Sequence, residues 1–70
     1  MSAPTTSEWQ VEGMTCEHCV ASVREELSAL DGVRSVEVEL ETGRVTVASD
    51  QPLAATSVAA AVEEAGYRLA

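Results

Sequence analysis

The 70-residue sequence predicts a two-layer α+β sandwich, with an antiparallel four-stranded sheet covered on one face by two helices. Three observations carry that expectation. Val36, Val38 and Leu40 alternate with Glu37, Glu39 and Glu41, and Val45 and Val47 resume the alternation beyond Thr42-Gly43, which reads as a hairpin with one wet face. Helical periodicity flanks the hairpin, through Val20, Val23, Leu27 and Leu30 before it and Val58, Ala61, Val62 and Ala65 after it. Short strand-like stretches lie outside both helices, at Glu8–Glu12 and Tyr67–Leu69. The order strand, helix, strand, strand, helix, strand closes most simply as a split βαβ sandwich with right-handed crossovers.

Taken in order, residues 1–7 are small and polar, contain Pro4, and read as a loose tail ahead of a domain over 8–70. Glu8–Glu12 alternates with period two, which turns Trp9 and Val11 inward until Gly13 ends the strand. The loop Gly13-Met14-Thr15-Cys16-Glu17-His18-Cys19 follows, and its last cysteine opens the first helix. Thr15 reads as the N-terminal cap and Asp31-Gly32 as the stop. A two-residue turn at Thr42-Gly43 sets Leu40 opposite Val45 and Val38 opposite Val47, with Glu39 facing Thr46 and Glu41 facing Arg44. A slip of one residue would send every apolar side chain to the wrong face. The second helix, roughly Ala55 to Ala65, has a thin stripe of valine and alanine with Leu53 at its entrance and Gly66 as its cap, so it is expected to dock less firmly. In this arrangement the loops after the first strand and before the last emerge at one end, which places Tyr67 or its neighbours near the cysteines.

The chain lies near the lower size limit for a self-sufficient core. With no Phe, one Trp and one Tyr, that core must be built from valine and leucine. Four arginines and no lysine stand against twelve carboxylates, a formal charge of -8. Nucleic acid and anionic membranes need cationic contacts and are disfavoured as partners. A basic protein surface is the more natural one, the other reading being that the acidity serves solubility alone. No apolar run approaches the roughly 18 residues that span a bilayer, and Met1–Ser7 lacks the basic start and apolar block of a secretory signal. The expectation is a cytoplasmic protein without direct membrane insertion. Met1 and an end directly after the last strand add the expectation of a complete small protein rather than a domain cut from a larger one.

Both cysteines, the only histidine and the only internal methionine fall in one loop. A disulfide across two intervening residues would close so small a ring that it removes little unfolded-state entropy, so the pair reads as metal-binding or redox-active. Cys16 and Cys19 can converge on one ion, and the first helical turn stabilises a thiolate at Cys19. Two thiolates suit a soft ion of low coordination number, and Cu(I) is the best match. Structural zinc takes four ligands, so Zn(II) or Cd(II) would need further donors. A dithiol redox centre is an alternative that the spacing leaves open. Haem attachment requires histidine after the second cysteine, where Val20 stands. His18 is an exposed polar residue, a hydrogen-bond or electrostatic partner of a sulfur, or an occasional ligand. Met14 reads as a core plug beneath the loop rather than a thioether ligand. Tyr67 is ordinary core or a cover over one side of the site. No carboxylate pair, serine nucleophile motif or phosphate-cradling glycine loop points to an enzyme.

Gly13-Met14-Thr15-Cys16-x-x-Cys19 at the end of a first strand, Leu30-Asp31-Gly32-Val33 and the closing Ala65-Gly66-Tyr67 together resemble the heavy-metal-associated domain family, and within it the bacterial copper chaperones. The likeness runs from about Trp9 through Leu69. It implies a ferredoxin-like βαββαβ fold for the domain over 8–70, two-coordinate Cu(I) held by Cys16 and Cys19, Met14 as a buried loop anchor and Tyr67 as the aromatic residue near the site. It also implies copper transfer to the metal-binding domain of a copper-exporting P-type ATPase, with a copper-responsive regulator as a second acceptor, and copper-bridged homodimers or higher oligomers. Eukaryotic chaperones of the family carry a lysine near the site and basic docking patches, and this chain has neither. His18 is not a required family residue. The expected function is a cytoplasmic copper chaperone, against the alternatives of a dithiol redox protein, a Zn(II)/Cd(II)-handling domain or a regulatory domain of an ATPase.

Overall fold

The computed structural model describes residues 4–70. Its elements are β1 (Thr5–Glu12), α1 (Glu17–Ser28), β2 (Val33–Glu39), β3 (Arg44–Ser49), α2 (Ala55–Glu64) and β4 (Arg68–Leu69). The strands form one sheet in the order β2-β3-β1-β4, with every neighbouring pair antiparallel. Each helix therefore joins two strands across a third, α1 spanning β3 and α2 spanning β1, and the two helices cover one face. This is the expected ferredoxin-like α+β sandwich. Among the described residues, no helix is long and apolar enough to cross a membrane.

The core lies between the layers. Val23 and Leu27 of α1, Val45 and Val47 of β3, and Val58 and Val62 of α2 are fully buried, each contributing on the order of 1.5–3 kcal/mol of transfer free energy. Trp9, Met14, Leu30, Leu53, Tyr67 and Leu69 pack around this cluster half-buried. Gly66 ends α2 in a left-handed conformation, with its N–H donating to the Glu63 carbonyl at 2.9 Å and that of Tyr67 to the Val62 carbonyl at 3.0 Å. These paired bonds satisfy the last helical carbonyls and set the chain's exit into β4.

Three local expectations are corrected. The loose tail expected over 1–7 is strand from Thr5 onward, where Thr5, Thr6 and Ser7 pair with Ser49, Ala48 and Val47; Met1, Ser2 and Ala3 lie outside the described residues. Two β-branched threonines fit a pleated strand although they are polar, and Ser7 accepts a 2.9 Å hydrogen bond from the Trp9 indole. The hairpin turn holds four residues, Leu40–Gly43, so Val38 pairs with Val45, Val36 with Val47 and Glu39 with Arg44, two positions from the expected register. A shift of two keeps every side chain on its face, so alternation cannot distinguish the registers. What selects the longer turn is polar: the Gly43 N–H donates to the Glu39 carbonyl at 2.9 Å, and the Thr42 hydroxyl donates to the Glu39 carboxylate while accepting from the Arg44 N–H. Finally, the N-terminal cap of α1 is Cys16, not Thr15, and no side chain caps the helix.

Candidate metal centre

The centre is built by the passage from β1 into α1. Cys16 has extended backbone, with φ -156° and ψ 173°, and its carbonyl accepts the N–H groups of Cys19 at 3.1 Å and Val20 at 3.3 Å. That first turn folds Cys19 back over Cys16, leaving the two Sγ atoms 3.5 Å apart. A disulfide bond is about 2.05 Å long, so both thiols are free. Two metal–sulfur bonds of about 2.3 Å reach across any separation up to about 4.6 Å, which brings both sulfurs within span of a single ion.

The cysteines are inequivalent. Cys16 is exposed, whereas Cys19 is 9 % exposed. A hydrogen bond from the Thr15 main chain, then one from the Tyr67 hydroxyl, lower the Cys19 thiol from its ordinary 9.0 to about 6; burial opposes them, and the Cys16 side chain and main chain add to the lowering. Near neutrality Cys19 is therefore largely thiolate. The same hydrogen bond raises the Tyr67 phenol, assisted by burial and by the charge at Cys19 and Cys16, so Tyr67 stays a neutral donor.

Tyr67 reaches the site because loops from opposite halves of the fold meet there. A Cβ placed on Gly13 would lie 3.2 Å from Tyr67 Cδ1, so the glycine is what lets the ring close over the loop. Met14 is half-buried against the core cluster and holds the loop from below. His18 is exposed, and among the described residues no three His, Cys, Asp or Glu side chains gather where they could hold an ion. The structure thus brings Cys16, Cys19 and Tyr67 together, sets Met14 beneath them and leaves His18 outside. Sequence reasoning missed Thr15 as a neighbour of the sulfur: its hydroxyl oxygen lies 3.9 Å from Cys19 Sγ, and the available signal was a hydroxyl residue abutting the first cysteine inside the loop.

Two adjacent sulfurs, one already ionised and one open to solvent, suit a soft ion of low coordination number. They suit disulfide exchange less well, since the stabilised thiolate is the buried one and the attacking sulfur must be reachable.

Comparison with known proteins agrees with this geometry. Residues 8–68 match the model of the heavy-metal-associated domain. The copper chaperone CopZ of Bacillus subtilis is 45% identical over 62 residues, spanning 87% of this chain and 90% of that protein. Among solved structures, a CopZ metallochaperone superposes with a TM-score of 0.84 at 37% identity, covering 94% of this chain and 100% of that one. The Cu(I)-loaded N-terminal domain of a potential copper-translocating P-type ATPase from Bacillus subtilis superposes with a TM-score of 0.81 at 29% identity, covering 91% of this chain and 81% of that one. A strand-to-helix loop carrying two cysteines, on this fold and with this likeness along nearly its whole length, makes the chain a member of the heavy-metal-associated domain family.

Proposed function

We propose that this chain is a copper chaperone, which binds Cu(I) between the thiolates of Cys16 and Cys19 and passes it to the metal-binding domain of a copper-exporting P-type ATPase. The observation that carries the reading is the sulfur pair itself, 3.5 Å apart with one member exposed. The relatives support the choice of ion and acceptor, since one is a copper chaperone and another a domain of a potential copper-translocating ATPase. The chain acts as a carrier and not as a catalyst. Its free dithiol fits a reducing compartment, and the cytoplasm is the proposed location.

Handover follows from the inequivalence of the sulfurs. An acceptor thiolate approaches from the exposed side and forms a third sulfur bond to Cu(I). The Cys16 bond then breaks and Cys19 follows, while further acceptor coordination replaces each lost bond. Copper keeps its charge and oxidation state throughout, and each donor sulfur leaves with its own bonding electron pair. A copper-responsive regulator presenting thiolates would be served by the same exchange. Tyr67 donates to Cys19 and covers one side of the pair, Met14 sets the loop's height, and His18 remains outside the copper's coordination shell.

The test is an anaerobic Cu(I) competition titration of the reduced protein against a chromophoric chelator, repeated with Zn(II) and followed by sizing. Tight Cu(I) binding that falls by at least about 100-fold in Cys16→Ser or Cys19→Ser is expected, because one thiolate cannot make the pair. Unchanged affinity in either variant would overturn the assignment. Elution at twice the monomer mass would show copies sharing copper.

A further inference from the structure

The two edges of the sheet are not guarded alike. β2 forms one edge, and it carries two devices that keep an edge from pairing with a copy of itself: a register irregularity between Val33 and Ser35, and the exposed Glu37 and Glu39 along its length. The other edge is divided. β4 has only Arg68 and Leu69, which pair with Glu12 and Val11, and the Ala70 N–H adds a bond to the Gln10 carbonyl at 2.8 Å. Over residues 5–9 that side of β1 has no strand against it among the described residues, and the strand is paired there with β3 alone.

Which main-chain groups this leaves open follows from the antiparallel ladder, in which successive residues address opposite neighbours. Gln10 faces β4 through its carbonyl, whereas Val11 faces the other way and donates to the Gly43 carbonyl at 2.9 Å. Glu8 and Thr6, in step with Gln10, therefore turn their N–H and C=O groups to the open side. Their side chains are exposed, while Thr5, Ser7 and Trp9 between them are half-buried on the helix side. An edge of this kind is completed by an extended segment running along it.

We propose that this segment is residues 5–9 of a second copy, laid antiparallel about a two-fold axis at Ser7, so that one continuous sheet runs through both chains. The open stretch selects its own register. With Ser7 opposite the partner's Ser7, each Thr6 lies opposite the partner's Glu8 and exchanges both main-chain bonds with it. Each Trp9 then lies opposite the partner's Thr5, an aromatic and β-branched pair. A shift of two residues one way sets Glu8 opposite the partner's Glu8, like charges side by side. A shift of two the other way brings Pro4, which has no N–H, opposite Glu8 and leaves the Glu8 carbonyl without a donor. The chosen match stops before Gln10, whose open side Ala70 already occupies, and the partner's strand begins only at Thr5, one residue short of it. Ser7 to Gly13 is about 20 Å at about 3.3 Å per residue, so the two metal loops lie at opposite ends of the pair. Each copy keeps Cys16 open, and the pairing needs no ion. The contact is narrow, which makes the association weak and driven by concentration.

The experiment follows the reduced, metal-free protein from about 10 μM to about 1 mM, a span that brackets weak association, by sedimentation equilibrium and by the fluorescence of Trp9, the single tryptophan. Dimer that grows with concentration, a shift in Trp9 emission, and amide exchange slowed at Thr6 and Glu8 in the concentrated sample are expected. Thr6→Pro removes an N–H that faces the open side and should abolish the dimer. Thr6→Lys sets a cation against the partner's Glu8 and should strengthen association about 3-fold or more, and Thr6→Glu should weaken it by a similar factor. If Thr6→Pro does not fold, the opposite signs of those two exposed changes decide. A protein that stays monomeric throughout, which would leave the edge to a segment of some other chain, would overturn the pairing. So would a dimer that Thr6→Pro leaves intact, or Thr6→Lys and Thr6→Glu acting alike. The outcome is separate from the copper reading, since the double variant Cys16→Ser, Cys19→Ser should dimerise as the wild type does. Association seen only on copper loading is sharing through the sulfurs and would count against the edge.

Discussion

At the scale of single residues the site depends on what surrounds Cys19. A folded-state pKa of about 6 against an ordinary 9.0 means that the native protein binds fewer protons than the unfolded chain between those values. The stability contributed by this group is therefore fully present above about pH 9 and is lost as pH falls through about 6. Urea midpoints of the reduced, metal-free protein should rise with pH across that window, and Cys19→Ser should remove this part of the rise. Tyr67→Phe deletes one donor while keeping the ring over Gly13, so the Cys19 titration, followed by thiolate absorbance in the ultraviolet, should move up toward 9.0. An unmoved titration would show that the phenol does not hold the sulfur. Since the thiolate is the ligand form, Cu(I) affinity should gain one further proton's worth of pH dependence below about 6.

The secondary-structure elements are where sequence and structure can be compared most sharply. Val20, Val23 and Leu27 announced α1 because three buried positions on one stripe have no other explanation, and Val58, Ala61 and Val62 did the same for α2. The hairpin was legible as a face but not as a register, since the four-residue turn is chosen by Gly43, Glu39 and Thr42 hydrogen bonds that alternation does not encode. The start of β1 was hidden because Thr5–Ser7 earn their place by pairing with β3 rather than by apolar burial. At the site, the cysteines and Tyr67 were legible from spacing and loop topology. The cap was not, because Cys16 opens α1 by its backbone alone.

Gly43 and Gly66 share a left-handed backbone but differ in their surroundings. A Cβ on Gly43 would sit 2.5 Å from the Val11 carbonyl oxygen, with φ at +76°, whereas one on Gly66 would meet nothing within 4 Å, with φ at +95°. Gly66→Ala should cost about 1–2 kcal/mol from the left-handed backbone alone. Gly43→Ala adds a collision with main chain that holds the turn against β1, so its loss in chemical denaturation should exceed that of Gly66→Ala by about 1 kcal/mol or more. Equal losses would mean that the turn yields freely.

For the whole molecule, a core built mainly from valine in 70 residues leaves a modest margin of stability, and twelve carboxylates against four arginines reduce it through self-repulsion. Cargo then becomes part of the stability, because an ion that binds only the folded pair shifts the unfolding equilibrium. Free Cu(I) at about 100 times Kd would add about 2.7 kcal/mol. The thermal midpoint should accordingly rise on copper loading, and the double variant Cys16→Ser, Cys19→Ser should show no rise.

In the proposed carrier, two sulfurs and nothing else from this chain hold the copper. X-ray absorption at the copper edge of the anaerobically loaded monomer tests it most directly. Two sulfur scatterers, with a spectrum unchanged in His18→Ala, are the predicted result; a nitrogen scatterer that disappears in that variant would contradict the account.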